Sequence, residues 1–267
     1  VHPAHTLGAL VLLALAPACR PSSESNPSQP ASTPTPAPAR PTAAPVGRGI
    51  IEGVVRLTGT PPPPLRYETT PSAAPTCGVD VADRSLTVGE GGALAQVVIS
   101  LADGASLPAD GFTPPPPAVL DQRKCAYEPY AVAARAGTSL EVRNSDPVMH
   151  NVRAVAGAQS VFNVAMPLEG MTLRKPLPAA PGTVHVRCDV HPWMRAVVRT
   201  FDHPFFTTTD GQGRFRLEVP AGTHTVVLWH SRLPEASKPV TVKAGETVRL
   251  EQDWGVGDLR SEGEGQK

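Results

Sequence analysis

Within Cys188-Asp189-Val190-His191-Pro192-Trp193-Met194, a thiol is followed three residues later by an imidazole and three further on by a thioether. Side chains at that spacing, just after an apolar alternating run, can converge in one tight loop at a strand end. Together they suit copper better than zinc, because Cu(I) prefers sulfur while Cu(II) accepts imidazole and a distant axial sulfur. A copper site of this kind needs a second imidazole from elsewhere in the chain. His150 supplies one within Asn144-Ser145-Asp146-Pro147-Val148-Met149-His150-Asn151-Val152, just past a predicted strand. Taken singly, each residue also has a plain structural role: an inert buried thiol, satisfied histidines, a methionine that fills core. The four in this order favour the metal. His185 alternates in phase with Arg187 and reads as an outward-facing or supporting histidine, while His203, His224 and His230 lack partners at ligand spacing.

The elements that position these residues are read as strands. Ile50 to Leu57, Ala95 to Leu101, Ser139 to Arg143, Thr183 to Cys188, Ala196 to Thr200, Arg214 to Val219, Thr223 to Leu228 and Thr247 to Leu250 are β-branched, alternating runs bounded by Gly, Pro or Asp. Asp210-Gly211-Gln212-Gly213 and Pro220-Ala221-Gly222 are turns of the kind that join antiparallel strands. No segment keeps a helical apolar period over a dozen residues, and 32 prolines in 267 residues exclude an all-helical fold. The expected class is therefore all-β, as one sandwich or a pair. With 24 basic and 24 acidic residues the chain has no excess charge for a polyanion, so nucleic acid is not an expected partner.

The prolines also map the chain. Eight lie between Pro21 and Pro45 among Ser, Thr, Ala and Asn, a composition that predicts a disordered tether over 20–47. Pro61 to Pro64 and Pro114 to Pro117 read as stiff loops inside a folded unit. Leu7 to Ala18 is apolar, too short to span a bilayer, and reads as an export signal over 1–19. The cysteine that follows its small residues resembles a bacterial lipoprotein signal, in which Cys19 is lipidated and the tether holds the domain off the membrane; the alternative is an ordinary cleaved signal. Either way the protein is expected to be exported, periplasmic or at the cell surface, and a membrane attachment is expected only where Cys19 is lipidated.

Cys188 to Val198, with its short Cys-x-x-His-x-x-Met spacing and His-Pro-aromatic-Met-Arg run, resembles the ligand loop of the cupredoxins, the blue-copper family, in its amicyanin-like and plastocyanin-like members. Met149-His150-Asn151-Val152 resembles the upstream copper-histidine segment of that family. The resemblance implies a Greek-key β-sandwich over 122–203 with one mononuclear copper, His150, Cys188 and His191 as equatorial ligands and Met194 as the weak axial one. It also implies that Asn151 supports the site by bonding across to the ligand loop, and that Pro192, Trp193 and Met149 form an apolar patch for electron transfer around His191. Trp193 has the alternative of roofing the site from inside. With Cys188 on copper and Cys19 lipidated, Cys77 and Cys125 remain as an expected disulfide in an oxidising compartment, the alternative being two free thiols.

A second resemblance, to carboxypeptidase regulatory-like, transthyretin-type β modules, is carried by Thr207 to Phe215 and Val219 to Val226. Gly49 to Leu57 and Gln96 to Leu101 match the first strands of the same module. It implies a small sandwich built from 48–121, with its proline-rich insertion, and 204–255. The copper domain is inserted in it or packed beside it, and 256–267 follows as a disordered tail. The function implied is one-electron transfer by a monomer to a redox protein partner. Copper storage or sensing by an exported binding protein is the alternative. An enzyme is not expected, since His-Glu-x-x-His and Gly-x-Ser-x-Gly are both absent and only one mononuclear site can be assembled.

Overall fold

The computed structural model describes residues 47–261, and the chain is all-β as expected. The export signal, Cys19 and the linker up to residue 46 lie outside the described residues. The first nine strands are β1 (Arg48–Thr58), β2 (Arg66–Glu68), β3 (Asp80–Ala82), β4 (Val98–Leu101), β5 (Ala118–Arg123), β6 (Ala126–Glu128), β7 (Ala131–Arg135), β8 (Ser139–Asn144) and β9 (His150–Ala156). The remaining nine are β10 (Gln159–Met166), β11 (Thr172–Pro176), β12 (Gly182–Arg187), β13 (Arg195–Phe201), β14 (Phe206–Thr208), β15 (Arg214–Pro220), β16 (Gly222–Trp229), β17 (Ala236–Val242) and β18 (Thr247–Gly255).

Two sandwiches result. The terminal one faces a β15-β1-β18 sheet with a β14-β4-β16-β17 sheet around a core that includes Ile51, Leu94, Ile99, Phe215 and Leu228. The inner one faces β10-β9-β12-β13-β7 with β11-β8-β5-β6 around Leu120, Leu140, Val152, Val186 and Val198. β4 and β14 are antiparallel neighbours, with Phe206 opposite Ser100. The chain therefore leaves the terminal sandwich at one strand and returns at the next, and the inner sandwich is an insertion. Its strands run from Ala118 to Phe201, where 122–203 was expected. A small buried cluster of Val98, Tyr130, Ala131 and Val197 joins the two. The side chain of Gln96, itself at φ 64°, accepts the Ala131 amide at 3.2 Å across the same junction.

Several local expectations are corrected. The run from Ala95 is extended strand only from Val98, because Gln96 is left-handed. The turns at 210–213 and 220–222 do not close hairpins: β14 and β16 belong to one sheet and β15 to the other, so both turns carry the chain over the edge of the sandwich. Asp210 fixes the first of them by accepting the amides of Gln212 and Arg214, each at 2.9 Å. The disordered tail expected from residue 256 is not found over 256–261. Val256–Asp258 form a 3-10 turn, Val256 and Leu259 pack on the terminal core, and the Arg260 amide bonds to the Arg232 carbonyl at 2.8 Å.

Pro61 to Pro64 line a cleft with Leu86, Val88 and Arg232 of the terminal unit, but the segment that follows them crosses to the inner sandwich. The β2-β3 hairpin and the short helix α1 (Ala74–Cys77) form a strap; Val81 is buried in the inner core and Cys77 is disulfide-bonded to Cys125. The described cysteines are thus one disulfide and one free thiol, Cys188.

At the centre of the terminal sandwich, β1 runs antiparallel to β15 and parallel to β18. A Cβ on Gly53 would lie 1.7 Å from the Leu250 carbonyl oxygen, a backbone atom that cannot swing aside. Gly53→Ala is expected to cost at least about 2 kcal/mol, in the range of overpacking penalties. A lowered urea midpoint at unchanged slope is the expected readout.

Candidate metal centre

β12 and β13 are antiparallel neighbours with Arg187 opposite Arg195, so residues 188–194 form the loop between two paired strands. β9 flanks β12 on the other side with Arg187 opposite Arg153. Continuing that register by two residues sets Asp189 opposite Asn151 and brings the start of β9, His150, beside the loop. The topology alone therefore carries both ligand segments to one end of the inner sandwich.

There the ligand atoms of His150, Cys188 and His191 all lie within 4.8 Å of one another, and all three residues are buried. The two Nδ1 atoms of the histidines face each other at 2.9 Å, and Cys188 Sγ is 3.9 Å from His191 Nδ1. The sulfur also accepts the amides of Asn151 and His191, each at 3.4 Å. Met194 is buried at the end of the same loop. Its amide bonds to the His191 carbonyl at 2.9 Å and its carbonyl accepts the Cys188 amide at 3.2 Å, so its main chain closes the loop on itself.

A carboxylate holds His150 from behind: its Nε2 lies 2.9 Å from Asp146 Oδ2. Asp146 also accepts the amides of Lys124 at 2.7 Å and Cys125 at 2.8 Å. Lys124 and Cys125 are the two residues joining β5 to β6, with φ 52° and 54°, the pairing of left-handed residues that a two-residue type I′ turn demands. Neither residue type favours that conformation; the carboxylate receiving both amides stabilises it. Asn144, fully buried, shapes the intervening loop by bonding from its side-chain amide to the carbonyls of Val148, Met166 and Leu168.

The side chain of Asn151 bonds to Asn163 at 2.6 Å and to Asp189 Oδ2 at 3.2 Å, and also accepts the Asp189 amide, so it spans from β9 to the ligand loop. Pro192 is exposed and Met149 is 48% exposed, with Val190 at 39% close by in the loop. Trp193 is half-buried: it lies against His191, ring centroids 5.1 Å apart, and its Nε1 donates to the Cys125 carbonyl at 3.0 Å.

Asp146, Tyr127 and Asp189 were not singled out from sequence. The spacing of Asp146 four before His150 is the signal available for the first. Tyr127 is buried with its hydroxyl donating to the Asn151 carbonyl at 2.6 Å, and nothing in its local sequence marks it. The other histidines are placed away from the ligand set. His203 accepts the Phe205 amide at 3.2 Å, His224 lies 3.2 Å from Asp103 and His230 accepts the Arg232 amide at 3.2 Å. His185 is half-buried on β12. Among the described residues the other group with metal-ligand geometry is Cys125, Asp146 and His150, in which the sulfur is committed to the disulfide.

Charge at the site follows from these contacts. Burial opposes ionisation of Cys188, but hydrogen bonds from both imidazoles and from the Asn151 and His191 amides outweigh it and bring the thiol down to about 6. Burial likewise opposes charge on Asp146, yet its bonds to His150 and to the two turn amides leave the carboxyl below its usual value. His150 is raised in spite of burial, by Asp146 and by the Cys188 sulfur. The site is thus a ready thiolate and two imidazoles with no water-facing ligand, a donor set that fits copper.

No protein-family model and no curated protein matches the chain. Among solved structures, a single-residue variant of amicyanin in its reduced state is 24% identical over 39% of this chain and 98% of its own, at a TM-score of 0.29. A purple cupredoxin from Nitrosopumilus maritimus is 22% identical over 32% of this chain and 99% of its own, TM-score 0.27. A copper-containing nitrite reductase from Thermus scotoductus is 20% identical over 37% of this chain and 26% of its own, TM-score 0.28. At those values the likeness decides nothing about the centre, whose assignment rests on its own side chains.

A lowered thiol pKa contributes stability that is complete above the unfolded value, about 8.5, and is lost as pH falls through the folded one. In the metal-free protein the thiolate absorbance is expected to titrate with a midpoint at about 6. Cys188→Ser should abolish that transition, and a midpoint near the free-thiol value would contradict the geometry.

Proposed function

We propose that this chain is a type 1 copper protein that carries single electrons between extracytoplasmic redox partners. The observation that carries the reading is the convergence of His150, Cys188 and His191 in one buried cluster at the end of a β-sandwich. Two imidazoles and a thiolate would hold the copper, and the thioether of Met194, buried at the end of the same loop, would be a weaker fourth donor. A bound copper ion supplies one-electron cycling between its two oxidation states. The protein's part is to hold the ligands where little rearrangement accompanies that cycling. Asp146 orients His150, the Asn151 and His191 amides fix the sulfur and draw off its charge, and burial excludes water.

The exposed Met149, Val190 and Pro192 beside His191 form the apolar surface through which a redox protein docks. Trp193, half-buried and bonded inward, supports the loop from behind that surface. The Cys77–Cys125 disulfide supports an oxidising compartment and hence export.

Adding Cu(II) to the metal-free protein is expected to give a blue species with intense absorption near ~600 nm, the band of a thiolate on Cu(II) in this geometry. It should bleach reversibly on one-electron reduction. Cys188→Ser is expected to abolish the band and Met194→Ala to retain it with a shifted potential. A colourless protein that still binds copper would favour storage or sensing, and colour surviving Cys188→Ser would overturn the ligand assignment.

A further inference from the structure

Cys125 sits in the β5–β6 turn, and its groups reach in three directions. Its amide donates to Asp146 Oδ2, which in turn lies 2.9 Å from His150 Nε2. Its carbonyl accepts Trp193 Nε1 at 3.0 Å, and Trp193 stands between His191 and Met194 in the ligand loop. Its sulfur is bonded to Cys77 at the end of α1, in the strap anchored by Val81 in the inner core. One residue therefore touches both arms that must converge on the metal, while being itself tied to a third segment of chain. Because the turn is left-handed at two residues that do not favour it, its shape depends on outside support. Asp146 supplies that support on one side and the disulfide on the other.

We infer that the Cys77–Cys125 disulfide is a positioning element of the metal centre, holding Cys125 where Asp146 keeps His150, and Trp193 keeps the 188–194 loop, in the converged arrangement. The inference rests on the copper reading of that site. It makes copper retention sensitive to a dithiol reductant. In the exchange the reductant's two thiols close into a disulfide, and its two electrons and two protons pass to Cys77 and Cys125 as thiols. The centre then loosens from behind, with no ligand touched.

The test compares the full chain with Cys77→Ser/Cys125→Ser and, with the disulfide intact, Trp193→Phe, which keeps an aromatic side chain and removes the donor to Cys125. Two readouts are taken: the rate at which a chelator strips copper from the Cu(II) form, and the rate at which Cys188 is alkylated in the metal-free form, read by peptide mass. Both variants are expected to remain blue, lose copper at least tenfold faster and alkylate Cys188 at least threefold faster. Rates within twofold of the parent in both variants would reduce the disulfide to a staple of the fold and overturn the inference. If the double serine variant does not fold, Trp193→Phe and the parent treated metal-free with dithiothreitol decide by the same alkylation rate. A parent that gives no blue Cu(II) form would sink the copper reading, while the alkylation rates would still decide whether the disulfide positions Cys188's loop.

Discussion

Asp146 is a carboxylate only 5% exposed, and a charge that deep must be matched by donors. Its donors are the amides of Lys124 and Cys125 and the ring nitrogen of His150. That requirement joins the β5–β6 turn, 22 and 21 residues upstream, to the loop out of β8 and to the first residue of β9. Removing the carboxylate would leave the buried Cys125 amide and the part-buried Lys124 amide without their acceptor, a left-handed turn unsupported and an imidazole free to rotate. Asn144 works one layer further out, its buried amide serving three carbonyls so that the loop carrying Asp146 has one shape. The ligand geometry thus depends on satisfied polar groups at least as much as on apolar packing, because in a buried site each unsatisfied group would cost as much as a lost contact.

The terminal sandwich supplies a different constraint. Since β4 and β14 pair with each other, the inserted sandwich enters and leaves through adjacent strands, and the junction is stiffened by the Val98, Tyr130, Ala131 and Val197 cluster and by Arg199 lying 4.9 Å over the Trp229 ring. β7, at that junction, is the edge strand of the sheet in which β9 and the β12–β13 connection bring His150, Cys188 and His191 together. The strap closes a second connection through Cys77, so the inserted unit is held both at its chain ends and beside its ligand cluster.

How much of this was legible follows the physics of each element. Strands buried on one face announce themselves by alternation: β1, β8, β12, β13, β15 and β16 fall where the apolar runs placed them. The strands missed are mostly edges. β10 and β11 flank the inner sheets with largely exposed residues, and β17 carries Pro239 at the edge of its sheet, where a missing amide costs nothing. The candidate ligands Cys188, His191 and Met194 were readable because the covalent chain spaces them within a single loop. Asp146 was not, because its role is set by the Lys124–Cys125 turn lying against it, and nothing in the local sequence encodes that approach. The disulfide emerged from counting cysteines, but its place behind His150 is a property of the fold alone.

The balanced charge of the chain takes on a local meaning in the same register. Arg153, Arg187 and Arg195 stand opposite one another on β9, β12 and β13, and directly opposed residues in antiparallel strands share a face. Val186 is buried, so this row lies on the outer face of the sheet, one residue before the ligand loop begins. Asp189, 3.6 Å from Arg153, offsets part of it. A neutral total therefore coexists with a basic row beside the apolar surface around His191. Such a row acts within about a Debye length, ~8 Å at physiological salt, too short to steer from afar but long enough to orient a partner already in contact. For a proposed electron carrier that division is favourable. On that reading the apolar surface around His191 would bring the two centres close, and the charged row behind it would bear on how the docked protein is turned.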